Sequence, residues 1–326
     1  MQNVKSLSVE KVTDGDYDFS LRETIGYESD GVTPIKGNVK YKIIEGETIS
    51  MRTTEANSMI MIAPLGGTLD YYHPIADEQY NAKSMMIVDG WQKVSDSVVT
   101  WLYGNNFSTY VEWFDDFSSL PANMQLYAGV GEAGWMFSEN SSGVKASVAF
   151  QPLRSYVYSK LQWNPWLDTN ELIDDFMNNY YKVAAPQLKE YFEFCRVYYA
   201  SKIHEGEMTG KLSGRTPLTF TFGSDVNDFS TVLQMGNILN EAVKAIENSS
   251  YSEFDKIKLI NRVKLESITV RKLLLTYFPS YMADSVYVEV LDSYIEDCKA
   301  LEIYGISDFE WENERATMLA RKGISA

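Results

Sequence analysis

The chain has 326 residues, 45% hydrophobic and 23% charged, an ordinary globular composition with enough apolar mass for one large domain or two. Against 45 acidic residues stand 29 basic ones, and the formal charge of −16 repels nucleic-acid phosphates and anionic membrane surfaces. No stretch approaches the roughly 20 apolar residues that span a bilayer, and residues 1–10 lack the apolar core of a secretory signal peptide.

The elements follow in chain order. Residues 1–57 are polar and rich in Gly, Asp, Thr and Ser, with alternating stretches such as Val39-Lys40-Tyr41-Lys42-Ile43 that predict strands or ribbon. Ser58-Met59-Ile60-Met61-Ile62-Ala63-Pro64 is a continuous apolar run, as in a strand buried on both faces of a parallel sheet. A helix is predicted over about 80–94, a second strand over Ser97–Tyr103, and a helix over about 121–130. Gly134–Phe137 reads as a third strand, followed by a helix over 147–162. Alternating strands and helices imply parallel pairing with right-handed crossovers.

Trp163-Asn164-Pro165-Trp166-Leu167-Asp168 then opens a capped helix near residue 169, with Asp168 or Thr169 accepting a first-turn amide hydrogen. Pro186 suits the first turn of the next helix, which carries Leu188, Tyr191, Phe192 and Cys195. Further helices are predicted at about 226–248, 251–276, 282–302 and 308–321, with a strand at 218–222 as the one exception. Cys195 and Cys298 read as buried thiols within helical patterns. His73 and His204 are too few for a histidine-based metal site, and no cofactor is expected.

Several segments carry a resemblance. They are Met59–Leu65, Tyr72-His73-Pro74, Gly90-Trp91, Trp101–Tyr110, Leu153–Tyr156, Trp163–Pro186 and Tyr304-Gly305-Ile306. In that order and spacing the chain resembles the carbohydrate-associated domain of unknown function 4838, a glycoside-hydrolase-like TIM-barrel family of secreted bacterial polysaccharide-processing proteins. The resemblance implies an α/β fold: a partial or closed (β/α) barrel segment followed by an all-helical carboxy-terminal domain. It divides the chain into a β-rich segment at 1–57, the last βα units of a barrel at 58–165, and a helical domain at 166–326. A whole barrel takes about 250 residues, so an open sheet or half barrel is expected, either in a shortened family member or in one whose missing strands lie on another chain, with the amino-terminal ribbon or self-association as the means of any closure. It also implies a secreted or periplasmic location.

In parallel α/β folds, ligands bind beyond the carboxyl ends of the strands. That edge offers Asp70, Tyr72 and His73 after the first strand. The second strand brings Trp101, Tyr103, Asn105 and Asn106, and the third Trp135 and Glu139. Aromatic faces stack on sugar rings while amides and carboxylates bond hydroxyls, so the partner expected is carbohydrate. Glycoside hydrolysis needs two carboxyl groups, and Asp70 and Glu139 are the expected pair. The family often has glutamate directly after the aromatic of its last strand, where this chain has Ser138. That departure keeps a non-catalytic binding module, or a structural fragment, as the alternative. The adjacent acids Asp115 and Asp116 read as helix caps.

Overall fold

The computed structural model describes residues 6–9, 17–27, 34–43, 49–52, 60–64, 69–93, 98–107, 109–130, 135–139, 149–208, 226–303 and 314–324, with the backbone alone before residue 60 and at Trp135. The chain forms two compact units. One comprises Met1–Ile60, Asp89–Val98 and Gly131–Ala133; the other comprises Met61–Val88, Val99–Val130 and Gly134–Ala326.

In the first unit, β1 (Ser6–Val9), β2 (Tyr17–Tyr27), β3 (Pro34–Ile43) and β4 (Ile49–Arg52) form two antiparallel ribbons, β1 with β4 and β2 with β3. The alternating stretch around Tyr41 lies in β3. One extra residue between Thr24 and Gly26 makes a bulge in β2.

Three strands, β5 (Ile60–Ile62), β6 (Val98–Tyr103) and β7 (Trp135–Glu139), form one parallel sheet in that spatial order. They alternate with α1 (Glu78–Gln92), α2 (Leu120–Ala128) and α3 (Gln151–Trp163). The sheet is open, which corrects the closed form of the expected barrel. Closure takes about eight tilted strands, and three cannot bring their edges together.

Local chemistry sets the helix boundaries. Pro121 occupies the first turn of α2, where its missing N–H costs nothing, and the Gly129 N–H bonds back to Leu126 O to end it. α3 starts abnormally: Ala149 and Phe150 have φ of 51° and 59°, a left-handed conformation that β-carbon crowding disfavours. Phe150 carries no capping oxygen, and its N–H instead donates to Glu266 Oε2 at 2.8 Å, from a helix 116 residues further on.

The remaining helices are α4 (Thr169–Tyr181), α5 (Ala185–Met208), α6 (Phe229–Glu247), α7 (Glu253–Tyr277), α8 (Asp284–Ala300) and α9 (Glu314–Lys322). Asp168 caps α4, its carboxylate accepting from the Asn170 and Glu171 N–H groups at 2.8 and 3.3 Å. Ile173, Met177 and Tyr181 recur every fourth residue and are buried. Residues 308–313 of the predicted last helix, like the strand predicted at 218–222, lie outside the described residues. No described helix is long and apolar enough to cross a membrane.

The segment joining β6 to α2 binds this unit together. Residues 109–117, Thr-Tyr-Val-Glu-Trp-Phe-Asp-Asp-Phe, are buried throughout yet form no helix or strand. Val111 enters the cluster made by Ile268 and Leu275 of α7, Tyr287 and Leu291 of α8, and Met318 of α9. Trp113 packs against Phe150 and against Phe192 and Tyr199 of α5, and Phe117 meets Phe192 edge-on at 5.2 Å. Phe114 stacks on Tyr71 at 4.1 Å. One connection thus supplies side chains to the sheet's loops and to the helical layer alike.

Candidate functional site

Because β5, β6 and β7 run parallel, the segments that follow them emerge at one edge of the sheet. Asp70 lies in the first of these. Its Oδ1 accepts the N–H groups of Tyr72 and His73 at 3.0 and 3.3 Å, with His73 Nδ1 also at 3.3 Å. His73 stacks on Tyr80 at 3.5 Å and meets Tyr72 edge-on. The turn is held from beneath by Asn81, which is 0% exposed. Its Oδ1 accepts the Asp70 N–H at 2.6 Å, and its Nδ2 faces the carbonyls of Asp70, His73 and Pro74 at 2.9–3.1 Å.

Sequence reading missed Asn81, whose helical position masks its role; the backbone breaks from helical geometry there, at φ −123° and ψ 24°. Asn81→Ala removes every one of these bonds from a part-buried turn. It is expected to cost about 2 kcal/mol, measured as a lower urea midpoint.

The second group of expected residues is built on β6 and β7. The parallel register sets Trp101 opposite Phe137 and Tyr103 opposite Glu139, so these four share one face of the sheet. Trp101 lies 5.6 Å from Tyr103 and 4.5 Å from Phe137, ring centre to ring centre, and Phe137 is 46% exposed. The face continues through Phe107 to Tyr110 by edge-on contacts of 5.8 and 6.1 Å. Burial first, and then the Glu139 carboxylate, raise the Tyr103 phenol above its ordinary pKa.

Alternation puts Ser138 on the opposite face from Glu139 and Phe137. Asn105 and Asn106 are both buried beyond the end of β6. Trp101 Nε1, Asn105 Nδ2 and Thr109 Oγ1 are buried without a hydrogen-bond partner, so donors collect at this strand end. Trp135 sits opposite Val99 in the register; its side chain lies outside the described residues.

Asp115 and Asp116 depart from their reading as helix caps. The Asp116 carbonyl accepts from the Ser119 and Leu120 N–H groups at 3.2 and 2.9 Å, but the capping is by main chain. Its carboxylate points into the core, where Oδ1 is 3.0 Å from Arg154 Nε and Oδ2 accepts from the Tyr158 hydroxyl. Asp115 Oδ1 accepts the Phe117 N–H at 3.1 Å. Burial pushes the Asp115 carboxyl up to about 6, an effect that Arg196 at 3.9 Å only partly offsets.

Glu112 and Glu266 are likewise buried, and both carboxyls are raised by burial to about 7. Tyr277 donates to Glu112 at 3.3 Å, and Tyr181 donates to Glu266 at 2.9 Å. These three acids lie at 6% exposure or less, where a substrate has no access, and their bonds tie segments of the fold together. The signal was present in the sequence: acids interleaved with aromatics, without Gly or Pro, over 109–117.

Among the described residues, no group of three or more His, Cys, Asp or Glu side chains could hold a metal ion. Cys195 and Cys298 are free and buried, as the sequence predicts. Trp163 and Trp166, prominent in the sequence, are 91% and 72% exposed rather than packed. Asn164 Oδ1 accepts the Trp166 N–H, and Gln125 bonds the Pro165 carbonyl, so the turn that presents both indoles is anchored.

No curated protein and no solved structure matches the chain. Residues 47–193, which contain β5, β6, β7 and every residue of the sheet edge described above, match the family model described as domain of unknown function (DUF4838).

Proposed function

We propose that the face of β6 and β7 carrying Trp101, Tyr103, Phe137 and Glu139 binds a glycan chain, as a glycoside-hydrolase-like protein would. The observation that carries this reading is the register itself, which sets three aromatic rings and one carboxylate on a single face with Phe137 exposed. Parallel sheets ordinarily have both faces covered, so an aromatic face with Phe137 exposed and Trp101 and Tyr103 half-buried favours a ligand that is apolar on one side. A pyranose has such a C–H face, and its hydroxyls match the amides and the carboxylate at the strand end. Tyr72, His73, Asn105 and Asn106 complete the cleft in this reading.

Affinity for a panel of oligosaccharides tests it. Trp101→Ala and Tyr103→Ala are each expected to weaken binding by about tenfold, the loss of one stacking contact. Unchanged affinity in both variants, with the fold intact by circular dichroism, rules the face out.

Hydrolysis is the second reading, favoured by the placement of Glu139 beside Tyr103 at the strand end. Here Glu139 is the general acid and Asp70 the nucleophile or base. Glu139→Gln and Asp70→Asn are each expected to lower turnover at least about a hundredfold. Binding that persists with no turnover in the parent protein identifies a non-catalytic module instead.

A further inference from the structure

α6 and α7 leave a groove of about 390 Å³ between them, bordered by Asp297 of α8. Val232 and Val243 of α6 and Val263, Val270 and Leu274 of α7 give it apolar walls, while Asn237 and Asn240 contribute amides. Gly236 lines it midway along α6. A β-carbon there would meet Val270 Cγ1 at 3.5 Å, an ordinary contact, so helix packing does not demand glycine at this position. A glycine weakens a helix interior; what it does here is leave the groove open.

The charges in the groove are unequal. Lys264 Nζ and Arg271 Nη1 approach the two oxygens of Asp297 at 2.8 and 2.9 Å, so two cations share one carboxylate in a chain whose formal charge is −16. The Arg271 Nη groups also donate to Ser293 and Ser267 at 3.1 Å, but its Nε is buried without a hydrogen-bond partner. Lys264 is 41% exposed and has ammonium hydrogens beyond the one directed at Asp297. An apolar trough with one uncompensated positive charge and an unused buried donor matches a ligand with an apolar body and a single anionic head. The volume lies near the lower end of the range for small-molecule sites, roughly 300–1,000 Å³.

We propose that this groove binds a small amphiphilic monocarboxylate. The ligand's carboxylate meets Lys264 and Arg271 on the sides that Asp297 leaves open, and its hydrocarbon body lies along Gly236 between the valines. The site stands apart from the aromatic sheet face and does not depend on the glycan reading.

Calorimetric titration of the whole chain with sodium octanoate, and with octanol as the neutral counterpart, tests the proposal. Octanoate is expected to bind saturably at one site and more tightly than octanol. Lys264→Met keeps the aliphatic stem and is expected to weaken octanoate about tenfold while leaving octanol unchanged. Gly236→Leu fills the groove and is expected to abolish binding of both. Gly236→Ala serves as a folding control, because it adds only an ordinary contact and should raise the thermal midpoint. Absence of saturable octanoate binding overturns the proposal, as does equal binding of octanol, or octanoate binding that survives Gly236→Leu.

Discussion

Replacing Arg154 by methionine is expected to destabilise the protein by about 3–5 kcal/mol, the cost of removing one partner of a buried ion pair. Arg154 is 2% exposed and serves four acceptors: Asp116 Oδ1 at 3.0 Å, Gln151 Oε1 at 3.2 Å, and the carbonyls of Ala149 and Phe114. Its guanidinium also lies over the rings of Phe114 and Phe117, at 5.3 and 5.1 Å. Methionine fills similar space but leaves the Asp116 carboxylate buried with only the Tyr158 hydroxyl for company. The urea midpoint measures the loss.

Adding Asp116→Asn to the same variant should recover part of that stability, because the orphaned charge disappears with it. No recovery would mean that Arg154 acts through packing and not through its charge. Arg154→Lys should also be costly, since an ammonium cannot reproduce the fork that reaches a carboxylate, a carboxamide and two carbonyls.

The second large effect is a dependence of stability on pH. Burial raises the Glu112 and Glu266 carboxyls to about 7 and Asp115 to about 6, from ordinary values of 4.5 and 3.8. Between the unfolded and folded values, the folded state therefore holds protons that the unfolded state has lost. The sign follows: stability falls as pH rises from about 4 to about 7, and is flat above that as far as these groups are concerned. For Glu266 alone, a rise from 4.5 to about 7 corresponds to roughly 3 kcal/mol.

Urea melts at pH 5, 6, 7 and 8 should give midpoints that decline to about pH 7 and then level off. The self-repulsion of an acidic surface acts in the same direction, and Glu266→Gln separates the two. Its amide oxygen keeps an acceptor for the Phe150 N–H while its NH2 can donate to the Tyr181 hydroxyl oxygen, and it does not titrate, so it should flatten the decline measurably. An unchanged slope in that variant would show that Glu266 is not the group being titrated. Asp297 contributes the opposite trend, since Lys264 and Arg271 hold its carboxyl below the ordinary value despite partial burial; that stability is lost as pH falls through the folded pKa.

These two predictions meet at one place in the fold. Phe150 is held in a left-handed conformation at the start of α3, with its N–H on Glu266 and the neighbouring Ala149 carbonyl on Arg154. The buried acids are thus the means by which α3, α4 and α7 are joined across long sequence separations. Candidates for chemistry remain at the sheet edge, where Phe137 is exposed and the Tyr103–Glu139 pair ends its two strands.

Periodicity and local stereochemistry determined most of the element list. The apolar run at 58–64 holds β5, Pro186 lies in the first turn of α5, and Asp168 caps α4. These signals depend on residues only a few positions apart, which is why a sequence read in isolation exposes them. The same logic assigned Asp70, Tyr103, Asn105 and Glu139 to one strand edge, because ligands of parallel α/β folds gather beyond the carboxyl ends of the strands.

The tertiary structure alone decided the rest. Asn81 as the anchor of the Asp70 turn, Asp116 as a partner of Arg154, and Glu266 as the cap of α3 all act across distant parts of the chain or against the propensity of their own element. The exposure of Trp163 and Trp166 was equally hidden, since apolarity favours burial only where the fold supplies a surface to pack against. The openness of the sheet followed from strand number, which the sequence does expose, whereas the register of its described strands came only from the structure.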